Sequence, residues 1–297
     1  MKINIRQAAP GDSAEIFAVH ASNGDNIPWG DHEGCREHLQ WMLDRGAAPI
    51  VAETAGRVIG EMELWWGRDV VELGTTLDVS ILEVHRDYQR RGVGRALTAR
   101  AVALSQEHGC DGVSVWTDNE AIGFYEKQGF ERRLLLREFT MEDLGIDAAP
   151  VYEFRSVELA GLNPPDGRDL CVGRLKHPRQ LWNDRLAAEI EGRQWRYGDK
   201  SYPAILSYRL DLGEGSPPAI AVYRLTHWRQ DPHSAELCLW CPHEDETVVR
   251  FCISHAHKIA IKSLSLITHG ALAQCLADWG AEPRDELDVL FRKNQLL

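Results

Sequence analysis

The sequence predicts an α/β protein with a mixed sheet, arranged as two successive domains. With 297 residues, the chain is too long for one small domain. In its first half, strand and helix patterns follow the order β-α-α-β-β-β-α-β-α-β, and a strand passes through a glycine loop into a helix at residues 77–97. The predicted domains are residues 1–145 and 169–297, joined by a proline-containing linker over residues 146–168.

Each element of the first half has a pattern of its own. Alternating apolar and polar residues predict strands, and apolar spacings of three and four residues predict helices. A glycine-containing turn at residues 54–57 is a hairpin signal. Glu61 and Glu63 share one face of the strand that follows it, because strand side chains alternate. The predicted strands are residues 3–7, 49–53, 58–66, 75–84, 113–117 and 131–141, and the helices are residues 12–21, 31–43, 92–108 and 121–128.

The unit at residues 77–97 is suited to holding a phosphate group. Gly92 and Gly94 allow the backbone to approach an anion closely. The first N–H groups of the following helix have no partner within the helix, and the helix dipole favours negative charge there. Three arginines add positive charge at the same place: Arg90, Arg91 and Arg95. An ordinary strand-to-helix turn with solvated arginines is the alternative interpretation.

Two separated motifs point to one family. Gln89, Gly92 and Gly94 fit the pattern Gln/Arg-x-x-Gly-x-Gly, and the segment from Asn119 to Phe130 follows about 25 residues later. Together they resemble the GNAT superfamily of acetyl-CoA-dependent N-acetyltransferases over roughly residues 1–140. The predicted order of elements is also the order of a GNAT fold, except that one strand is missing. Residues 151–159 alternate well enough to supply that strand.

The resemblance implies acetyl-CoA as the co-substrate and assigns residues to it. The pantetheine arm would pair with the backbone of the central strand, and the pyrophosphate would lie on the glycine loop. Arg86 departs from the proline that many members carry after this strand, and we expect this to change the loop little. The implied cofactor-binding residues are Leu82, Val84, Gln89, Arg90, Arg91, Gly92, Val93, Gly94, Arg95 and Asn119; Asn119 could equally cap the following helix.

The resemblance also suggests catalytic residues. Tyr125 falls where the family commonly places the general acid for the departing thiolate, and a phenol has a suitable pKa for that role. The alternative is that Tyr125 packs against its neighbour Phe124. Asp78 is the candidate base, and on a regular strand it shares a face with Leu82 and Val84. A bulge would reverse this parity and make Glu83 the candidate, whereas many family members use only a water chain. Asp78 could instead bind a cationic acceptor.

The first two helices and the loop between them usually form one wall of the acceptor site in this family. Asp25, Trp29 and Asp31 are therefore candidate contacts for the acceptor. For each of them a structural role is the simpler interpretation, because a tryptophan often completes a core and an aspartate often begins a helix. Glu61 and Glu63 would face either an amine acceptor or water.

The second half repeats the element order of residues 75–140. Strands are predicted at residues 234–240, 263–268 and 285–292, and helices at residues 247–258 and 271–279. Cys241-Pro-His-Glu-Asp-Glu-Thr247 replaces the glycine loop, and its three consecutive acids would repel a pyrophosphate. Leu276 falls opposite Tyr125. We therefore expect a degenerate GNAT-like domain that does not bind the cofactor, with an unrelated α+β domain as the alternative.

Composition excludes several classes of protein. A net charge of −12 argues against a general nucleic-acid binder. The N-terminus has no long apolar run of a signal peptide, and no stretch reaches the length of a membrane span. Seven scattered cysteines fit reduced thiols in the cytoplasm. Cys238 and Cys241 do not predict a metal site, because they would lie on opposite faces of a strand and no second Cys-x-x-Cys is present.

These observations predict a cytoplasmic N-acetyltransferase that moves an acetyl group directly from acetyl-CoA to a primary amine. The acceptor would be a small-molecule amine or a protein amino group, because a fold does not determine its substrate. We expect no metal, nucleic acid or membrane to take part. The alternative from another class is a non-catalytic acyl-CoA-binding sensor or interaction protein. The oligomeric state is open.

Overall fold

One mixed sheet runs through both halves of the chain. The computed structural model describes residues 1–24, 27–117, 119–142, 146, 152–162, 168–191, 205–213, 215–225 and 233–294, without the side chains of Asn119 and of residues 187–191. The strands are β1 (Asn4–Gln7), β2 (Ile50–Thr54), β3 (Arg57–Arg68), β4 (Thr75–Val84), β5 (Gly112–Thr117), β6 (Glu131–Met141), β7 (Phe154–Ser156), β8 (Asp169–Val172), β9 (Ile205–Leu210), β10 (Ala219–Leu225), β11 (Ser234–Cys241), β12 (Ser263–Thr268) and β13 (Glu282–Lys293).

The helices cover both faces of this sheet. They are α1 (Ser13–Ala21), α2 (His32–Asp44), α3 (Val93–Glu107), α4 (Asn119–Glu126), α5 (Pro178–Glu191), α6 (Glu246–Lys258) and α7 (Gly270–Asp278). The predicted strands and helices are confirmed to within three residues at each end, apart from the strand at residues 151–159. Within the described part of the chain, no helix is both long and apolar enough to cross a membrane.

The two halves exchange their last strands. The order of neighbours in the sheet is β1-β2-β3-β4-β5-β13-β6-β12-β11-β10-β9-β7. β13, from the second half, therefore lies between β5 and β6 of the first half, antiparallel to both. β6 lies between β13 and β12 in the same way. Each half thus completes its sheet with a strand supplied by the other.

This exchange corrects the prediction of the missing strand. Among the described residues 152–159, the only strand is β7, and it pairs with β9 at the far edge of the sheet. β13 instead fills the gap beside β5. Residues 287–291 of β13 are all partly or fully buried, as expected for a strand that is covered on both faces.

The core of the first half lies on both faces of the sheet. On one face Leu77 and Val79 pack with Leu97 of α3, and Leu290 of β13 joins the same cluster. On the opposite face Ile81 packs against the cluster formed by α1 and α2. In the second half, Cys238 and Cys241 belong to different clusters, so the prediction that they lie on opposite faces of their strand is confirmed.

Candidate active site

A cleft opens where β4 and β5 separate. The parallel pairing of these strands begins at Thr76 with Gly112 and ends at Val79 with Val115. Beyond that point lies a cleft of about 970 Å³, bounded by the ends of both strands and the first turns of α3 and α4. Eight of the ten predicted cofactor-binding residues line it: Leu82, Val84, Gln89, Arg90, Gly92, Val93, Gly94 and Arg95.

The hydrogen-bonding pattern of β4 directs alternate backbone groups into the cleft. The His85 N–H donates to the Ile59 carbonyl of β3 at 3.0 Å. Because pairing in an antiparallel ladder alternates, the N–H and C=O groups of Leu82 and Val84 face the other edge, which is the cleft. The Val84 carbonyl already accepts from Gln89 Nε2 at 3.1 Å. This edge therefore presents backbone groups with the spacing of a strand partner.

The glycine loop has the conformation that its sequence predicts. Gly92 precedes α3 with a φ of +87°, in the left-handed region that favours glycine, and a Cβ there would meet open space. At Gly94 a Cβ would lie 3.1 Å from the Phe124 ring of α4, so this contact leaves little room for a larger residue. The first N–H groups of α3 have no acceptor within the helix, an arrangement that favours an anion there.

The three arginines of the loop differ in position. Arg90 and Arg95 line the cleft beside the start of α3. Arg91 does not line it; its guanidinium lies over the ring of Tyr88, 5.7 Å from the ring centroid. The side chain of Asn119, at the start of α4, lies outside the described residues. The positive charge next to the helix terminus therefore comes from two arginines.

Tyr125 lines the cleft opposite the end of β4. It lies on α4 and is 4% exposed, edge-on to the rings of Phe124 and Phe130 at centroid distances of 4.9 and 5.3 Å. Burial, together with the nearby Asp78 charge, raises the pKa of Tyr125. The phenol therefore keeps its proton at neutral pH and has a donor to offer.

A bulge in β4 corrects the predicted position of Asp78. Glu63 pairs with Ile81, whereas the next residue of β3, Leu64, pairs with Val79, so Ser80 is an extra residue in β4. Side chains reverse their faces across this bulge. Of the two parities that the sequence left open, the bulged one is observed: Asp78 shares a face with Ile81 and Glu83, not with Leu82 and Val84.

Asp78 is fully buried and is not among the residues that line the cleft. Its carboxylate accepts a hydrogen bond from Ser114 Oγ of β5 at 2.7 Å and lies 3.8 Å from the Arg174 guanidinium of the second half. Burial, with a smaller effect of the Asp69 charge, raises the pKa of Asp78 to about 6 in spite of Arg174. Asp78 thus belongs to a buried network between the halves.

Glu83 lines the cleft at the end of β4. Its carboxylate accepts a hydrogen bond from Asn23 Nδ2, in the loop after α1. Burial raises the pKa of Glu83, against the opposing effects of His20 and Asn23. A carboxylate with a raised pKa beside a cleft is a candidate proton acceptor, on the parity that the bulge creates.

Two buried histidine–glutamate pairs lie next to Glu83. His20 of α1 contacts Glu61, and His38 Nε2 of α2 lies 2.7 Å from Glu63 Oε1. Ser80 links this group to the bulge, because its hydroxyl donates to Glu63 Oε2 at 3.2 Å. The prediction that the two glutamates share a face is confirmed. The histidines were not predicted, because helical spacing alone places them in a core and does not reveal their partners.

The predicted acceptor contacts have different positions. Trp29 is buried between the two histidine rings, with centroids 4.6 Å from His20 and 5.7 Å from His38. Asp31 caps α2 by accepting from the Gly34 N–H at 2.8 Å, as the simpler interpretation proposed. Asp25 lies outside the described residues.

Comparison with known proteins identifies this arrangement. Residues 45–132 match the family model of the acetyltransferase (GNAT) domain. The chain matches no curated protein. A solved GCN5-related N-acetyltransferase from Anabaena variabilis is similar over 98% of this chain and 73% of its own, at 14% identity and a TM-score of 0.66.

Two further solved structures cover nearly the whole chain. A putative acetyltransferase from Pyrococcus horikoshii has 12% identity and a TM-score of 0.53 over 99% of this chain and 90% of its own. A tandem GNAT protein from the clavulanic acid biosynthesis pathway has 16% identity and a TM-score of 0.50 over 100% of both chains. Residues 45–132 are therefore similar to the GNAT acetyltransferase domain, and the two halves together have the fold of a tandem GNAT protein.

Proposed function

We propose that the chain is an N-acetyltransferase that moves the acetyl group of acetyl-CoA to a primary amine in the cleft of its first half. The observation that carries this proposal is the open edge of β4, which leads directly to a glycine loop at the start of α3. An extended arm bearing amide groups fits this edge, and a pyrophosphate fits the helix terminus. When bound, acetyl-CoA supplies a thioester whose acyl carbon an amine can attack.

The residues around the cleft have complementary roles in this reaction. Backbone N–H groups of β4 would polarise the carbonyl that accepts charge in the transition state. Tyr125 holds the proton that a departing thiolate needs, since its raised pKa keeps it neutral. In the overall step, a C–N bond forms and a C–S bond breaks. One proton leaves the amine, and one is added to the thiolate.

We assign the removal of the proton from the amine to Glu83 and not to Asp78. Glu83 lies on the cleft, whereas Asp78 is turned into the network with Ser114 and Arg174. The raised pKa of Glu83 brings it closer to the pKa of an ammonium group, which makes it a better base. Glu61 and Glu63 are buried against His20 and His38 and do not line the cleft, so we assign them no contact with the acceptor.

Calorimetric titration with acetyl-CoA tests the proposal. We expect one site per chain in the wild type and loss of binding in Gly92→Glu, because a carboxylate then occupies the anion site. Gly109→Glu is a matched control: it lies beyond the other end of α3, also has a positive φ (+67°), and has no atom within 4 Å of its Cβ position. It should bind like the wild type.

Each other outcome has a definite meaning. A wild type that does not bind acetyl-CoA would contradict the proposal. Equal losses in the two variants would show that backbone strain, not the anion site, causes the effect. A chain that binds acetyl-CoA yet acetylates no member of a broad panel of small amines and peptides would be a binding protein and not an enzyme.

A further inference from the structure

The second half has its own strand divergence, but a segment of the chain fills it. β11 and β12 pair in parallel only from Ser234 with Ser263 to Glu236 with Ser265. β8 then pairs antiparallel with the rest of β11. On its other side, the Gly173 N–H that follows β8 donates to the Ile267 carbonyl of β12 at 2.7 Å.

β8 therefore occupies the place that corresponds to the cleft of the first half. A second contact with β12 supports this position, since Thr268 Oγ1 donates to the Cys171 carbonyl at 2.8 Å. All four residues of β8 are buried. An extended cofactor arm would need backbone groups that already pair with β8. The second half also lacks the glycine loop that would hold a pyrophosphate.

The chain leaves β8 through a glycine that the structure requires. Gly173 has a φ of +96°, and a Cβ there would lie 2.8 Å from both Cys238 Sγ and the Leu237 carbonyl of β11. Any other residue would meet both strain and a clash. The turn sends the next residue, Arg174, out of the second half and into the first.

Arg174 forms a buried ion pair with the first half. It is 1% exposed, and its guanidinium donates to both carboxylate oxygens of Asp69, at 2.8 and 2.6 Å. The same guanidinium lies 3.8 Å from Asp78. At the other end of β8, Asp169 accepts from Arg68 of β3 at 2.8 Å. Both ends of β8 are thus bound to the segment that ends β3.

This ion pair lies at the base of the cleft. Asp78 of β4 lies opposite Ser114 of β5, one position before the last pair at which these strands are joined. Its carboxylate also accepts a hydrogen bond from the Ser114 hydroxyl. The next pair, Val79 with Val115, lines the cleft. Arg174 therefore compensates the charge of two buried carboxylates directly beneath the point where the strands part.

We infer that Arg174 is a positioning residue for the acyl-CoA cleft, delivered by the segment that fills the corresponding cleft of the second half. Without its charge, Asp69 and Asp78 would be buried together without a cation, and the strands that carry Asp78 and Ser114 would shift to admit water. The second half would then contribute to the affinity for acyl-CoA without touching it. This inference rests on the proposed function for its ligand.

The test compares two buried arginines of the second half. Arg174→Met should weaken acetyl-CoA binding about tenfold, as expected for coupling through a packed network. Arg185→Met is the matched control, because Arg185 is also buried but pairs with Glu236 within the second half, at 3.0 Å. It should lower the melting temperature without changing the affinity measured well below melting.

A rescue variant separates charge compensation from simple damage. Replacing Arg174 by Met together with Asp69→Asn and Asp78→Asn removes the whole charged group and should restore most of the affinity. If Arg174→Met does not fold, Arg174→Lys replaces it, with an expected loss of about threefold, because lysine keeps the charge but loses the two-pronged contact. Wild-type affinity in Arg174→Met or in Arg174→Lys, no recovery of affinity in the triple variant, or the same loss in Arg185→Met would overturn the inference.

Hydrogen exchange provides a readout that needs no ligand. Amides at residues 76–79 and 113–115 should exchange faster in Arg174→Met than in Arg185→Met, because only the first change loosens the pairs below the cleft. Unchanged exchange there would overturn the inference even if acetyl-CoA binds. A wild type that does not bind acetyl-CoA would instead contradict the proposed function and leave the exchange result interpretable.

Discussion

A single leucine tests whether the exchanged strand supports the first half. Leu290 lies near the end of the chain, yet it is fully buried in the cluster of α3, β4 and β5, and it pairs with Val115 at the edge of the cleft. Leu290→Ala removes buried carbon atoms from a packed site and should lower the free energy of unfolding by about 2–5 kcal/mol. With a urea dependence of about 3 kcal/mol per molar, the midpoint of unfolding falls by about 1 M.

Urea unfolding followed by circular dichroism measures this effect. Leu135→Ala is the matched control, since Leu135 lies on the neighbouring β6 but is 38% exposed, and its change should stay within about 0.5 kcal/mol. If Leu290→Ala changed the free energy of unfolding as little as the control does, β13 would not be part of the first half's core. The exchange of strands would then be refuted.

Four further outcomes follow from the cleft and its surroundings. Glu83→Gln should lower kcat at pH 7 by about 10²–10⁴-fold with little change in the Kd for acetyl-CoA, whereas Asp78→Asn should keep most activity. Steady-state kinetics compares the two variants, and a large loss only in Asp78→Asn would restore Asp78 as the base. Because the pKa of Asp78 is raised to about 6, its contribution to stability is present below pH 4 and is lost as the pH rises through 6. Asp78→Asn should therefore raise the free energy of unfolding at pH 8 by about 1–3 kcal/mol and leave it unchanged at pH 4, and an equal change at both pH values would contradict this reasoning. Tyr125→Phe should reduce kcat but not the affinity for acetyl-CoA. Gly94→Val should reduce that affinity, because the valine side chain would meet the Phe124 ring. Wild-type affinity of Gly94→Val in calorimetry would mean that this contact is not tight.

Local sequence patterns were sufficient for the parts of the site that a few consecutive residues form. The extent of β4, the glycines of the loop and the spacing of α3 are all properties of residues 75–107, and each is found where predicted. Tyr125 and eight of the ten predicted cofactor-binding residues line one cleft for the same reason. A strand, a turn and a helix start carry their geometry in their own sequence.

The partners of β13 and β8 depend instead on contacts between distant residues. β13 has the pattern of an ordinary last strand, and nothing in that pattern states that its neighbours are β5 and β6 and not a strand of its own half. β8 is only four residues long, so no periodicity marks it. Arg174 reads as a surface arginine until Asp69, more than 100 residues earlier, is placed beside it.

The assignment of the base depended on one inserted residue. With a regular strand, Asp78 would share a face with Leu82 and Val84, and Glu83 would lie on the other face; with Ser80 as a bulge, Asp78 and Glu83 share one face. On that face Asp78 meets a cation from the second half, and Glu83 meets Asn23 beside the cleft. Because a bulge inverts every side chain after it, the same six residues, from Asp78 to Glu83, are consistent with two different proton acceptors. Of these two carboxylates, Glu83 lines the cleft and Asp78 does not, and this is why we propose Glu83 as the proton acceptor.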